Sequence, residues 1–151
     1  MLAAWYERNG PAHEVMHVGE QPTPLPQAGE VRVALHCSGV NPSDVKSRMA
    51  RPLGAPLVIP HSDGAGVIDA VGEGVDQARV GQRVWTWNAQ WQRPWGTAAQ
   101  YVCLPSAQAV PMPAHLSFQA GACMGIPGLT ALRAVRIAGA VKGQKIGRAH
   151  V

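Results

Sequence analysis

The stretch that decides the fold is PHSDGAGVIDAVGEGV, residues 60–75. After PHSD, Gly64 and Gly66 begin an apolar run that includes Val67 and Ile68. The turn sequence GEG follows this run. This pattern predicts a β-strand over residues 64–72. Neither of its GxG pairs is followed by a third glycine at the spacing of a phosphate-binding loop, and neither opens a helix. We therefore interpret these residues as strand and turn glycines.

Similar strand signals lie on both sides of this stretch. Residues 30–37 alternate apolar and polar side chains, which predicts a strand with Val31, Val33 and Leu35 facing a core. Residues 2–6 and 13–18 predict an initial hairpin. Three more short strands are expected over residues 81–85, 96–103 and 109–113. Helical spacing appears only late, after the N-cap residue Ser117 and again after Pro127-Gly128.

Composition agrees with one β-rich globular unit. The 151 residues include 17 Gly and 13 Pro, and 46% of them are hydrophobic while 15% are charged. The basic residues behind the net charge of +4 are scattered singly, which argues against nucleic-acid binding. The three cysteines have long spacings and predict neither a metal clip nor a disulfide framework. Because no apolar stretch approaches the length of a membrane span, we expect a soluble, cytoplasmic protein that does not bind membranes.

Five ordered motifs carry a family resemblance: CSGVNPSD, the stretch above, GQRV, GTAAQY and GIPGLTA, at residues 37–44, 60–75, 81–84, 96–101 and 125–131. Together they resemble the medium-chain dehydrogenase/reductase superfamily, and within it the quinone reductases that include zeta-crystallin. The resemblance covers about residues 3–145. It implies a mainly β fold, a GroES-like, partly open β-barrel with a few helices and a C-terminal helix that leads toward a Rossmann domain.

The same resemblance implies how the chain is divided. Residues 1–125 would form the GroES-like catalytic domain, and residues 126–145 a helix and linker that enter a truncated Rossmann domain. Residues 146–151, IGRAHV, leave the family pattern abruptly and match a translated sequencing adapter, so we expect a non-native tail. A chain of this extent is expected to be inactive by itself, while the complete relative would be a homodimer.

The implied activity is hydride transfer from NADPH to a small-molecule quinone or α,β-unsaturated carbonyl. Zinc-dependent relatives have a cysteine and a His-Glu pair where this chain has Asn41 and Ser62-Asp63, and His61 stands one place too early to be their ligand. The chain also lacks their four-cysteine lobe. Since Zn²⁺ requires Cys, His or carboxylate ligands in a near-tetrahedral set, no metal is expected.

Asn41 is the candidate catalytic residue, and the resemblance places it in the active cleft. Its amide could donate a hydrogen bond to an acceptor oxygen or to a cofactor ribose. An ordinary turn-forming Asn before proline is the alternative. Asp44 could act in the cleft or serve only as a cap at a helix start.

Three further residues are candidates for ligand contact. Lys46 replaces a family tyrosine and could reach a phosphate or carbonyl, or could be an exposed lysine. Thr130 resembles a position facing the nicotinamide, or it caps a helix. Trp91 lies in a tryptophan-rich span, beyond the apparent strand that holds Trp85 and Trp87, and is the candidate wall of the substrate pocket because flat rings suit stacking on quinones.

Two other functions remain open from the sequence. One is a zinc-type alcohol dehydrogenase, and the other is a binding module that uses a GroES-like barrel without chemistry. The Asn41 motif and the entry into a Rossmann strand favour the reductase, since a pure barrel module needs neither.

Overall fold

The computed structural model describes residues 1–139 and Gly143. Its regular elements follow in chain order: β1 Leu2–Trp5, α1 Ala12–Val15, β2 His17–Glu20, β3 Glu30–Gly39, α2 Pro42–Ala50, β4 Asp63–Val71, β5 Arg83–Thr86, β6 Tyr101–Pro105, β7 Ala109–Pro111, α3 Phe118–Gly121 and α4 Leu129–Ala138. Among the described residues, no helix has the length and apolar character needed to span a membrane.

A five-stranded antiparallel sheet organises the chain, in the order β6-β3-β4-β5-β7. The long central strands β3 and β4 shift register twice, between Arg32 and Val33 and between Leu35 and Cys37. Such bulges increase local twist, and here the sheet curls. Strands β1 and β2 form a separate pair, joined to the rest by the hydrogen bond from Ala4 N to Ala98 O at 2.8 Å.

The core lies on one face of this sheet. Val31, Val33, Ile68 and Val84 are each fully buried within a single hydrophobic cluster. Gly66 shows why the stretch 60–75 carries glycines, since a Cβ there would lie 2.0 Å from the Ala34 carbonyl oxygen. The glycine thus allows β4 to approach β3 closely, as the interpretation of strand glycines predicted.

The prediction of a mainly β fold with a few helices is confirmed. Two strand boundaries were wrong. Residues 13–15 belong to the short helix α1 because Val15 turns inward against Tyr6 and Val58, so the second strand of the hairpin begins only at His17. The strand expected at residue 96 begins at Tyr101, because the preceding segment hydrogen-bonds to Pro60 and His61 instead. The expected tail at 146–151 lies outside the described residues.

Candidate functional site

Asn41 and Asp44 together form the start of helix α2. Pro42 occupies the first helical position, where its missing N–H costs nothing. The carboxylate Oδ2 of Asp44 accepts a hydrogen bond from the backbone N–H of Asn41 at 2.7 Å. Both residues are buried, with 5% and 7% of their surface exposed. Asp44 therefore caps the helix, which was one of the two roles left open for it.

A fully buried carboxylate, Asp63, lies next to this helix start. Its Oδ2 accepts a hydrogen bond from Asn41 Nδ2 at 2.8 Å. The backbone N–H of Ile126 lies 3.0 Å from Oδ1 and 2.9 Å from Oδ2. Gly125 makes this approach possible, because a Cβ there would stand 2.1 Å from Oδ1. Asp63 thus connects strand β4 to the start of α2 and to the turn that leads into α4.

The environment of Asp63 acts on its ionisation in opposite directions. Burial raises the pKa of the carboxyl above its ordinary value, and the negative charge of Asp44 raises it further. The hydrogen bonds from Asn41 and Ile126 lower the pKa, but the net direction is upward. A buried carboxylate of this kind depends on its donors, since an unpaired buried charge is strongly unfavourable.

A chain of side-chain hydrogen bonds connects His61 to the Asp63 backbone. His61 adopts a left-handed φ of 78°, and its Nδ1 lies 2.9 Å from Ser38 Oγ. Ser38 Oγ lies 2.9 Å from Thr97 Oγ1, and Thr97 Oγ1 donates to the carbonyl of Asp63 at 2.6 Å. Burial lowers the pKa of His61, so its imidazole is neutral near pH 7. The sequence interpretation of His61 as a loop histidine agrees with this geometry.

A cavity of about 500 Å³ opens beside the Asp63 network. Its volume is within the range of small-molecule sites. The wall includes Asp44, which accepts from Asn41, and Ile126, whose backbone N–H donates to Asp63. It also includes the loop that carries Trp91. That loop is held by hydrogen bonds from Ala89 N to Ser62 O at 3.0 Å and from Trp91 N to Asn88 O at 2.9 Å. The Trp91 side chain is 60% exposed and free to contact a ligand.

The structure brings some of the predicted residues together and separates others. Trp91 lines the cavity, whereas Asn41 is buried, is not among the lining residues and contacts Asp63. Lys46 is exposed on α2 and is not part of the lining. Thr130 is exposed on α4, at a shallow surface depression it shares with Leu129 and neighbouring residues.

Sequence reasoning missed two residues of this site. Asp63 was considered only as a non-ligand in the place of a zinc-binding pair, although an acid directly before a buried glycine-led strand is a signal of a buried carboxylate. Arg93 was counted among scattered basic residues, although it stands between Trp91 and Trp95 in a loop predicted to face the cleft. Arg93 also lines the cavity.

The described residues contain no group of three or more His, Cys, Asp or Glu side chains placed to hold a metal ion. Around Asp63 the neighbouring groups are amide N–H donors, which cannot act as ligands to a cation. These donors are satisfied by the Asp63 carboxylate itself, and one carboxylate among amide N–H groups is not the near-tetrahedral set of Cys, His or carboxylate ligands that Zn²⁺ requires.

Comparison with known proteins gives the family context. The sequence profile of the alcohol dehydrogenase GroES-like domain matches residues 27–114. Quinone oxidoreductase from Rattus norvegicus is 34% identical over 114 residues, which cover 74% of this chain and 33% of that protein. The chain thus spans about one third of the length of the curated relatives it matches.

Solved structures resemble the described fold closely. Quinone oxidoreductase from Coxiella burnetii has a TM-score of 0.82 at 26% identity, and the match covers 91% of this chain and 45% of the chain of that enzyme. A mycobacterial protein in complex with NADPH has a TM-score of 0.76 at 25% identity, over 97% and 43% of the two chains. An alcohol dehydrogenase superfamily protein from Novosphingobium aromaticivorans has a TM-score of 0.74 at 30% identity, over 88% and 40%.

Proposed function

Since the chain belongs to the alcohol dehydrogenase GroES-like domain family, we propose that it is the acceptor-binding part of a zinc-independent, NADPH-dependent quinone or enone reductase. The family resemblance and the GroES-like fold expected from the motifs are confirmed. The observation that carries the proposal is the cavity beside Asp63. The exposed indole of Trp91 belongs to the wall of this cavity, and the amide of Asn41, which is not a metal ligand here, donates to Asp63.

In the proposed reaction the residues of the cavity bind the acceptor and exclude water. NADPH supplies a hydride, and the quinone takes up that hydride and one proton to become a hydroquinone. The cavity would hold the flat acceptor against the Trp91 ring, where stacking contributes about 0.5–1.5 kcal/mol. Its walls would also keep bulk water away from the ring that is being reduced.

Asn41 is proposed as a hydrogen-bond donor to the acceptor oxygen or to a cofactor ribose, although it is buried and lies outside the cavity lining. One N–H of its amide is used by Asp63, and the amide nitrogen carries a second N–H. Asp63 would fix the orientation of this amide, so that the second N–H is presented to the acceptor oxygen or to a ribose without reorganisation. Lys46 and Thr130 stay proposed cofactor contacts, although both lie outside the cavity lining.

The described residues fit only part of NADPH. A flat ring fits the cavity, but the glycines of the stretch 60–75 pack β4 against β3 and form no loop at a helix N-terminus that could bind a pyrophosphate. This stretch therefore supplies no pyrophosphate site. NADPH, and not NADH, is proposed by similarity to the mycobacterial protein solved with NADPH.

An alcohol dehydrogenase is the second candidate, because a member of that superfamily shares this fold. Such an enzyme in its zinc form would have a cysteine in the place of Asn41 and a His-Glu pair in the place of Ser62-Asp63. The hydrogen bond between Asn41 and Asp63 favours the zinc-independent reductase.

Steady-state kinetics with protein expressed from the source locus tests the proposal. Tetramethyl-1,4-benzoquinone is a suitable acceptor because its ring is fully substituted and cannot add to the exposed Cys123 thiol. We expect saturable, quinone-dependent oxidation of NADPH, and a KM for the quinone about fivefold higher in Trp91→Ala with little change in kcat, as expected when uniform binding is lost.

Trp5→Ala is the matched control, since Trp5 lies in β1 and is not part of the cavity lining. It should leave the KM unchanged. A protein that oxidises no NADPH with any quinone would contradict the proposed function. An unchanged KM in Trp91→Ala would show that the quinone does not bind in this cavity.

A further inference from the structure

The charged side chains that line the cavity are predominantly basic. Arg51 and Arg93 both belong to the lining, while Asp44 is its one acidic member among the described residues. The carboxylate of Asp44 is already committed to the backbone N–H of Asn41. Cationic side chains therefore outnumber carboxylates by two to one in the lining.

Of the two arginines, Arg93 has the more unusual hydrogen bonding. Its Nη2 donates to Gln108 Oε1, and Gln108 in turn donates to the carbonyls of Trp87 and Asn88 in the loop that carries Trp91. Its Nη1 is buried and has no hydrogen-bond acceptor among the residues that the structure describes. A guanidinium has five N–H donors, and an enclosed donor without an acceptor is unfavourable.

Arg93 also lacks an acidic partner. It forms no ion pair within residues 1–139, in contrast to Arg32, whose Nε lies 2.9 Å from Asp69 Oδ1. Burial lowers the pKa of Arg93, and only the more distant charge of Glu30 acts against this. A partly desolvated cation beside a cavity attracts an anion more strongly than an exposed one does.

The remaining wall suits a ligand with one flat face and one polar end. Trp91 offers an aromatic surface, while Ser43, Ser47 and Ser62 offer hydroxyl groups that can donate to oxygen atoms. Arg51 is exposed and lines the same cavity.

We propose that the acceptor of this enzyme carries an anionic oxygen group, a carboxylate or a sulfonate, that binds to Arg93 and Arg51 while its ring lies against Trp91. Arg93 would donate through the unpaired Nη1 after a small rotation of its side chain, and the planar guanidinium matches the geometry of such a group. The inference rests on the proposed function, because it names the class of acceptor for the same cavity.

Two unreactive quinones test it by calorimetry on the protein from the source locus, saturated with NADP⁺. The anionic probe is 9,10-anthraquinone-2-sulfonate, and the neutral probe is 2-(hydroxymethyl)-9,10-anthraquinone. Neither has a free quinone ring position that could react with Cys123. We expect the sulfonate to bind at least tenfold more tightly at low ionic strength, and this preference to diminish as salt is added.

The variants Arg51→Gln and Arg93→Lys should each reduce the preference for the sulfonate by about tenfold while the neutral probe binds as before. Arg51 is exposed, so its variant remains informative if Arg93→Lys fails to fold. Arg136→Gln is the control, because Arg136 is exposed on α4 and outside the cavity, and it should change nothing.

Equal affinities of the two probes, or a preference that survives Arg51→Gln, would overturn the inference. So would a failure of both probes to bind. The proposed function is tested separately by NADPH oxidation with the neutral tetramethylbenzoquinone, which carries no anionic group. An active enzyme without sulfonate preference would therefore reject the anion site and leave the reductase intact.

Discussion

Replacement of Asp63 by alanine is expected to lower the free energy of unfolding by about 3 kcal/mol. The substitution removes the acceptor of the buried Asn41 Nδ2 and of the partly buried Ile126 N–H, and a buried donor left without a partner costs about 1–3 kcal/mol. Removal of the desolvated charge offsets part of this cost. For a domain of this size the change corresponds to a fall of roughly 10 °C in the melting temperature.

Asp69→Ala is the matched control for this measurement. Asp69 belongs to the same strand but is only partly buried, and it accepts from Arg32 Nε at 2.9 Å and Nη2 at 3.0 Å. Loss of such a pair near the surface costs about 1 kcal/mol or less. Chemical denaturation of both variants compares them directly. If Asp63→Ala were no less stable than Asp69→Ala, Asp63 would not hold the site together.

Asn41→Ala is expected to lower kcat/KM for the quinone by about tenfold to a hundredfold in protein expressed from the source locus. Removal of one donor that acts in a transition state costs about 2.7–4 kcal/mol, and a partly solvated cleft reduces that figure. The substitution also removes the 2.8 Å hydrogen bond to Asp63, so a loss of about 1–2 kcal/mol of stability should accompany it.

Activity must therefore be expressed per folded molecule, with the melting temperature measured on the same preparation. Asp63→Ala again provides a comparison, because it disturbs the same hydrogen bond from the other side. An Asn41→Ala protein that is less stable but fully active per folded molecule would make Asn41 a structural residue of the helix start.

The sequence predicts the strands well because their signal is local. The alternation at Val31 and Val33 and the glycine-led run before Ile68 each require one buried face, and both are observed. Residues 13–15 were wrongly predicted as strand because the apolar residues of segment 13–18 suit a strand as well as a single helical turn. Only the packing of Val15 against Tyr6 and the more distant Val58 decides between the two.

The site was less predictable because its contacts join distant segments. Asn41 and Asp63 are 22 residues apart, and Asp63 and Ile126 are 63 apart, so no periodicity reveals that they meet. The motif at residues 37–44 indicated Asn41, and the tryptophan-rich span indicated Trp91, but neither pattern indicated a partner. No sequence pattern reveals that Arg93 lines the cavity or that its buried Nη1 has no acceptor among the described residues.

We propose that this fold serves a quinone or enone reductase that works without zinc. Quinone-dependent NADPH oxidation by protein from the source locus, measured before and after exhaustive treatment with a chelator, tests this proposal. We expect the same rate in both samples and far less than one zinc ion per chain. Loss of activity on chelation and its recovery on addition of Zn²⁺ would contradict it.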